Sequence, residues 1–533
     1  TYYSVPLKSS VNGHIKVRLE LTNNGTAYFD NLRFSNGWLA TDISYDANKN
    51  YVVSTANQLG NKTTFVPNAY GQVLSVSAPS GEKNEYSYDG QQRLRTVTDN
   101  ADNITTYILD ANGNVKDVSL TDGTKTYNRT IFSYDPLNNL LSEKDTNNRI
   151  TSFTYDEGGR LSKRTNPDNT YVSTGYNSAG NLSQLQLSNG PRYDFGYDKN
   201  GRRKTAKITS GEVVTNQFDY GYDKVGNILS FIEKDGTGNI LSQATVPSDG
   251  YSKVFEPLKY NLIYGSNNIS YVNEFTKRLN TSFTVDGKKY IFEYDEGENL
   301  TSKKAPNNTR EVYTYNEAQQ IIGTQTVGVT SSTNGTTWVP KFSSHNSYDS
   351  DGRLVGVTGT GPGSPNVSYS YNNGTEKLNR LTQSDITVGG SPYTFNYSYD
   401  PAGNLLTMSV PSGSTTQSNT FQYDADNRII NNTDFEYDEN GNLKKAKLNG
   451  VSYTYTYDSA NRLISVVGGS KTTYYTYDGD GLRLSKEVNG VKTNYHYFKG
   501  QLMYETSSDS PGVMNALYIR SPQGALQAVR LKQ

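Results

Sequence analysis

The chain has 533 residues, 51 basic against 52 acidic side chains and a net charge of −1, so its electrostatics give no reason to expect a nucleic acid or an anionic membrane as partner. The absence of cysteine excludes disulfides, thiol nucleophiles and thiolate metal sites, and no run of ~18 apolar residues is present to span a bilayer. A mean hydropathy of −0.72 suits a disordered chain, but 44 tyrosines argue for a fold, because tyrosine buries its ring and still wets its hydroxyl.

The first residues, "TYYSVPLKSS", lack the basic and apolar parts of a signal peptide, so the chain is expected to be mature or a fragment. In "GHIKVRLELTNNGTAYFDNLRF", Ile15, Val17, Leu19 and Leu21 alternate with His14, Lys16, Arg18 and Glu20, as along a strand. Asn23-Asn24-Gly25 supplies a turn and "AYFDNLRF" the return strand. Two strands do not fold alone. Residues 1–37 are similar to the C-terminal hairpin of a jelly-roll, carbohydrate-binding-like domain, and equally suit an edge hairpin capping the first repeat.

From residue 38 to 505 one pattern recurs. Sixteen tyrosines open a Tyr-Asp or Tyr-Asn unit, among them "YDGQQRL" at 88, "YDEGGRL" at 155, "YDSDGRL" at 348, "YDPAGNL" at 399, "YDENGNL" at 437 and "YDSANRL" at 457. From Tyr134 to Tyr155, Tyr176 and Tyr197 each step is 21 residues, and from Tyr437 to Tyr457 and Tyr477 each is 20. In the unit from 151, Phe153 and Tyr155 share one strand face, Asp156 is placed to accept backbone N–H bonds, and Gly159 is free to take a positive φ. The chain returns through Leu161 to a second turn at Pro167-Asp168-Asn169. The 20-residue units carry Asn449-Gly450 and Asn489-Gly490 at that second turn, the signal for a two-residue hairpin. Their missing residue therefore falls in the turn and leaves the strand register intact.

No stretch holds a 3.6-residue period with caps. The expected fold is all-β: roughly 22 units, about 40 strands, in one long antiparallel hairpin strip. An open sheet of that length twists apart or exposes long edges, so the strip has to coil. Two regions, 229–290 and 322–346, break the rhythm, as functional or interior-filling insertions do, or as decayed repeats do. Residues 506–533 end the repeats.

Tyr-Asp-x-x-Gly-[Asn/Arg]-Leu at about 20-residue spacing resembles the YD or Rhs repeat of bacterial wall-associated proteins, Rhs toxins, insecticidal toxin complexes and teneurins. The resemblance implies a strip spiralling into a hollow shell, which in toxin members encloses a C-terminal effector. It also implies that "YIRSPQGALQAVRLKQ" leads toward a closing core segment, and that this segment and the cargo lie outside the chain. The implied role is a non-enzymatic shell module of a secreted or cell-surface bacterial protein, enclosing or presenting a C-terminal toxin or effector. A carbohydrate-binding adhesion module, with cell-wall or cell-surface glycans as partners, is the alternative, and a glycosidase within an irregular insertion a third reading. Export also suits the many Asn, Thr, Ser and Gly residues and the 19 % of charged residues.

Candidate sites are few. His14, His345 and His496 share no ligand spacing, and strand alternation places His14 and His496 at surface or lining positions. Asp-x-Asp-Gly at 349 and 478 lacks the further oxygens of a calcium loop and is read as turn chemistry. "GTGPGSP" from 359 has no phosphate-loop lysine or following helix, and no Gly-x-Ser-x-Gly is present. Every repeat supplies an Asp, so no pair stands out for glycoside hydrolysis. Trp38 and Trp338 are too few for the aromatic cages of a choline binder. No catalytic residue, metal ligand or cofactor is nominated, and no binding residue is identified.

Overall fold

The computed structural model describes residues 42–531, apart from 248, 252–257, 265–266, 277–278, 333–334, 373, 375, 413–414, 432, 511–512 and 523. The expected N-terminal hairpin of residues 1–37, with His14, and Trp38 beside it lie outside the described residues. Among those described there are 43 strands and no helix. They form a 33-stranded and a 10-stranded sheet, in which strands adjacent in sequence pair antiparallel.

The unit around Tyr155 shows how the repeat is built. Strand Ile150–Tyr155 pairs with Leu161–Thr165, with a bulge between Thr154 and Tyr155 that sets the tyrosine opposite Leu161. One carboxylate oxygen of Asp156 accepts the N–H groups of Gly158 and Arg160, both at 2.9 Å, and the other accepts Arg160 Nε at 2.8 Å. Gly159 takes φ 73°, as the turn requires. The Tyr155 hydroxyl donates to the carbonyl of Leu140 at 2.9 Å, one unit back, and the Arg160 guanidinium lies 4.5 Å from the centre of the Tyr176 ring. This unit is thus bonded to its predecessor by a tyrosine hydroxyl and held to its successor by an arginine.

The short units keep the same bonds. Asn449 and Gly450 have φ 50° and 79°, and Asn489 and Gly490 φ 50° and 87°, the paired positive angles of a type I′ hairpin. The Tyr477 hydroxyl donates to the Leu463 carbonyl 14 residues back, against 15 for Tyr155 and Leu140. The deletion therefore sits in the turn, and the bond survives it.

The chain divides into two compact units, each assembled from segments distant in sequence. Among the described residues the first comprises 42–104, 291–398 and 407–419. Within it Asp351 accepts the N–H of Ser80 at 2.9 Å, 271 residues away, and Asn100 donates to the Lys377 carbonyl at 3.1 Å. The irregular stretch 322–346 lies here as a long hairpin, Ile321–Ser332 with Gly335–Tyr348, in register from Gly323↔His345 to Ser332↔Gly335.

The second unit comprises 105–290, 399–406 and 420–533. Its two long segments first meet turn to turn. Asp426 accepts the N–H groups of Thr146 and Asn147, both at 3.1 Å, and Asn440 bonds Asp168. Asn189 Oδ1 accepts the N–H of Ser459 at 2.6 Å. Further along they meet face to face around a core of Leu187, Tyr193, Phe195, Ile208, Phe218 and Leu484. The irregular stretch 229–290 extends this face: Leu262, Tyr271, Phe283 and Val285 are buried, and Tyr260 packs against Phe498 at 5.4 Å. Here the strip is two layers thick, which the scarcity of aliphatic residues did not lead one to expect.

Candidate functional site

The acids of the repeat are held by main chain and by a side chain four residues on. At 348 the Asp-x-Asp-Gly carboxylates are engaged: Asp349 by the N–H groups of Asp351 and Arg353 and by Arg353 Nε, Asp351 by Ser80 and Asn379. The loop from Gly359 closes on itself between two strands, with Ser364 Oγ donating to the Thr360 carbonyl and Gly359 N–H to Asn366. His345 is an exposed strand residue. Among the described residues no three His, Cys, Asp or Glu side chains gather as a metal group would.

His496 departs from its expected surface or lining position. It is only 2 % exposed, with Nδ1 2.8 Å from Glu233 Oε2 and Nε2 3.0 Å from Thr506 Oγ1, and it stacks on Tyr504 at 4.6 Å. Strand alternation predicts one wet face, but the face-to-face packing of the second unit buries both. Glu233 was invisible as its partner because it lies 263 residues away.

The second Asp-x-Asp-Gly, at 478, is the most unusual group of side chains in this unit. Its turn rests on the sheet face formed by Tyr193, Phe195, Arg203, Ile208, Phe218 and Tyr220, with Gly479 seated against the Phe195 ring, where a Cβ would come within 2.7 Å of Cζ. Asp480 pairs with Arg203 at 2.5 Å. The Tyr193 hydroxyl donates to the Tyr477 carbonyl and accepts from Arg462, which is itself paired with Asp458 at 2.8 Å. Burial pushes the Tyr220 phenol up to about 12 and raises that of Tyr193 as well.

Asp478 accepts the N–H groups of Leu482 and Asp480 through one oxygen, and no side chain hydrogen-bonds to it among the described residues. Every other Tyr-Asp or Tyr-Asn turn of this five-residue form carries Arg, Asn or Gln four residues after the acid or amide; here the residue is Leu482. The consequence is electrostatic. Arg160 holds the Asp156 carboxyl below its ordinary range, and Asn114 and Asn139 do the same for Asp110 and Asp135. Asp478 instead is pushed up to about 6, first by burial and then by the neighbouring Asp480. The signal was present in the sequence as "YDGDGLRL", where the arginine comes one position late.

The RHS Repeat family model matches residues 134–171 and 437–473, which hold the Tyr155 and Tyr457 hydroxyl bonds. The chain carries RHS repeats. This Rhs-repeat chain is 32% identical over 157 residues to the tRNA3(Ser)-specific nuclease WapA of Bacillus spizizenii, a match covering 28% of the chain and 6% of that relative. Against the tRNA nuclease WapA of Bacillus subtilis (strain 168) it is 33% identical over 144 residues, 25% of the chain and 6% of the relative. The fold matches that of a chain in the crystal structure of TcdB2-TccC3-TEV with a TM-score of 0.52 at 12% identity, over 92% of this chain and 32% of that one.

Proposed function

We propose that the Rhs repeats form a non-catalytic structural module of a secreted or surface-displayed bacterial protein, which encloses a toxin or effector polypeptide carried C-terminal to it. The observation that carries this reading is the packing of the strip on itself: in each unit, segments roughly 270 residues apart are tied by turn-to-turn bonds, as Ser80 to Asp351 and Thr146 to Asp426. A strip that bonds successive stretches side by side is a wall, and a wall suits enclosure better than surface adhesion. The tyrosines support the same reading, since hydroxyls such as those of Tyr155, Tyr176 and Tyr457 are bonded to main-chain carbonyls and so are not free to greet a sugar. The named activity of the Bacillus relatives, tRNA cleavage, is assigned here to a carried polypeptide and not to the repeats.

The test is to append an unstructured reporter peptide after Gln533 and time its digestion by a protease that leaves the repeats intact. Enclosure predicts slower digestion than on an unrelated carrier. Equal rates would overturn enclosure, and equal rates together with retention on a glycan array would favour an adhesion module.

A further inference from the structure

The turn at 478 breaks the rule that the other turns of its form keep, and it does so where two distant segments of the second unit are pressed together. A carboxylate in that place has three features at once. It is half-buried and lines one small cavity with Phe195, Ile208 and Phe218; it lacks the side-chain clamp that the repeat supplies elsewhere; and it sits beside a second acid, Asp480, which is already paired with Arg203. We propose that the turn Asp478–Leu482 is a proton-responsive latch: uptake of one proton by the Asp478 carboxylate tightens the hold of the C-terminal segment on the sheet face 193–220, and loss of that proton loosens it.

The surrounding charges leave the proton to Asp478. Arg203 is matched by Asp480, and Arg462, which donates to the Asp478 main-chain carbonyl at 3.0 Å, is matched by Asp458. Lys207 lines the same cavity without pairing to Asp478. The tyrosines nearby, Tyr193, Tyr220, Tyr222 and Tyr497, are all raised by burial and stay neutral through the acid and neutral range. The sign follows from linkage. The folded-state value of Asp478, about 6, lies above the ordinary 3.8, so the packed turn binds the proton more tightly than the open one. Stabilisation by protonation is complete below the ordinary value and is lost as pH rises through about 6.

Hydrogen–deuterium exchange of the full chain, read on peptides covering 193–220 and 474–485 and corrected for intrinsic rates, measures the opening of this contact. In the wild type the opening equilibrium should grow by up to about 100-fold between pH 4 and pH 7, the fold-change that corresponds to a shift of about two pH units. Asp478→Asn should hold the low-pH level across the range. Leu482→Arg, which restores the clamp, should remove the same pH dependence by holding the carboxylate ionised at low pH. If Asp478→Asn keeps the wild-type slope, or Leu482→Arg leaves it intact, the latch is wrong. Should Asp478→Asn fail to fold, the comparison of Leu482→Arg with wild type decides alone.

Discussion

At the scale of single residues the repeat is a set of main-chain contacts made by side chains. Tyr155 is half-buried and its hydroxyl is bonded to the Leu140 carbonyl, so its two contributions separate. Tyr155→Phe should cost ~1 kcal/mol, the net value of a hydrogen bond. Tyr155→Ala should cost ~2–3 kcal/mol, less than a fully buried aromatic because the residue is already partly wet. Denaturation followed by tyrosine fluorescence would measure both, and a neutral Tyr155→Phe would remove the hydroxyl from the account. The part of Asp156 that lies within its own turn was legible in the sequence, since an acid before a glycine bend is local chemistry. The hydroxyl's partner was not legible, because finding a carbonyl 15 residues back requires knowing the bulge at Tyr155 and the register it sets.

At the scale of elements, strands and turns followed from the tyrosine spacing, while the bonds between distant turns did not. Two turns 280 residues apart, such as those at Thr146 and Asp426, share no pattern that a single sequence displays. One trace is visible in retrospect: the residue two after the motif acid is Asp or Asn at 48, 200, 351, 426, 440 and 480, and the last four of these reach a distant segment. Asp426 is the best place to test the seam within the second unit, because it accepts from Thr146 N–H, Asn147 N–H and Arg149 Nη2, the last at 3.2 Å. Asp426→Ala leaves those donors without an acceptor and should cost ~2–3 kcal/mol. Exchange should rise in the peptide containing Thr146 and Asn147, while the strand pairing of Ile150–Tyr155 stays protected. Loss of protection throughout the unit would mean that the seam is a folding requirement and not a local tie. The same reasoning explains why 229–290 looked irregular: its strands are patterned to carry a second layer and have little need of the Tyr-Asp turn.

At the scale of the whole molecule the decisive quantity is how little apolar surface folding removes from water. Only 33% of the residues are hydrophobic. The buried hydrophobic side chains are concentrated where the second unit is two layers thick, and stretches such as Val52–Ala56 and Leu94–Thr98 are largely half-buried. Stability in those stretches then rests on backbone pairing, turn carboxylates and tyrosine hydroxyls more than on burial. Heat capacity separates the two sources, because exposing apolar surface on unfolding raises it and exposing polar surface lowers it. Calorimetry should therefore give an unfolding heat-capacity change below the ~12–15 cal/mol/K per residue of ordinary globular domains. A value at or above ~12 would show that a solid apolar core forms in solution, and a wall of half-wet sheet would no longer describe the protein.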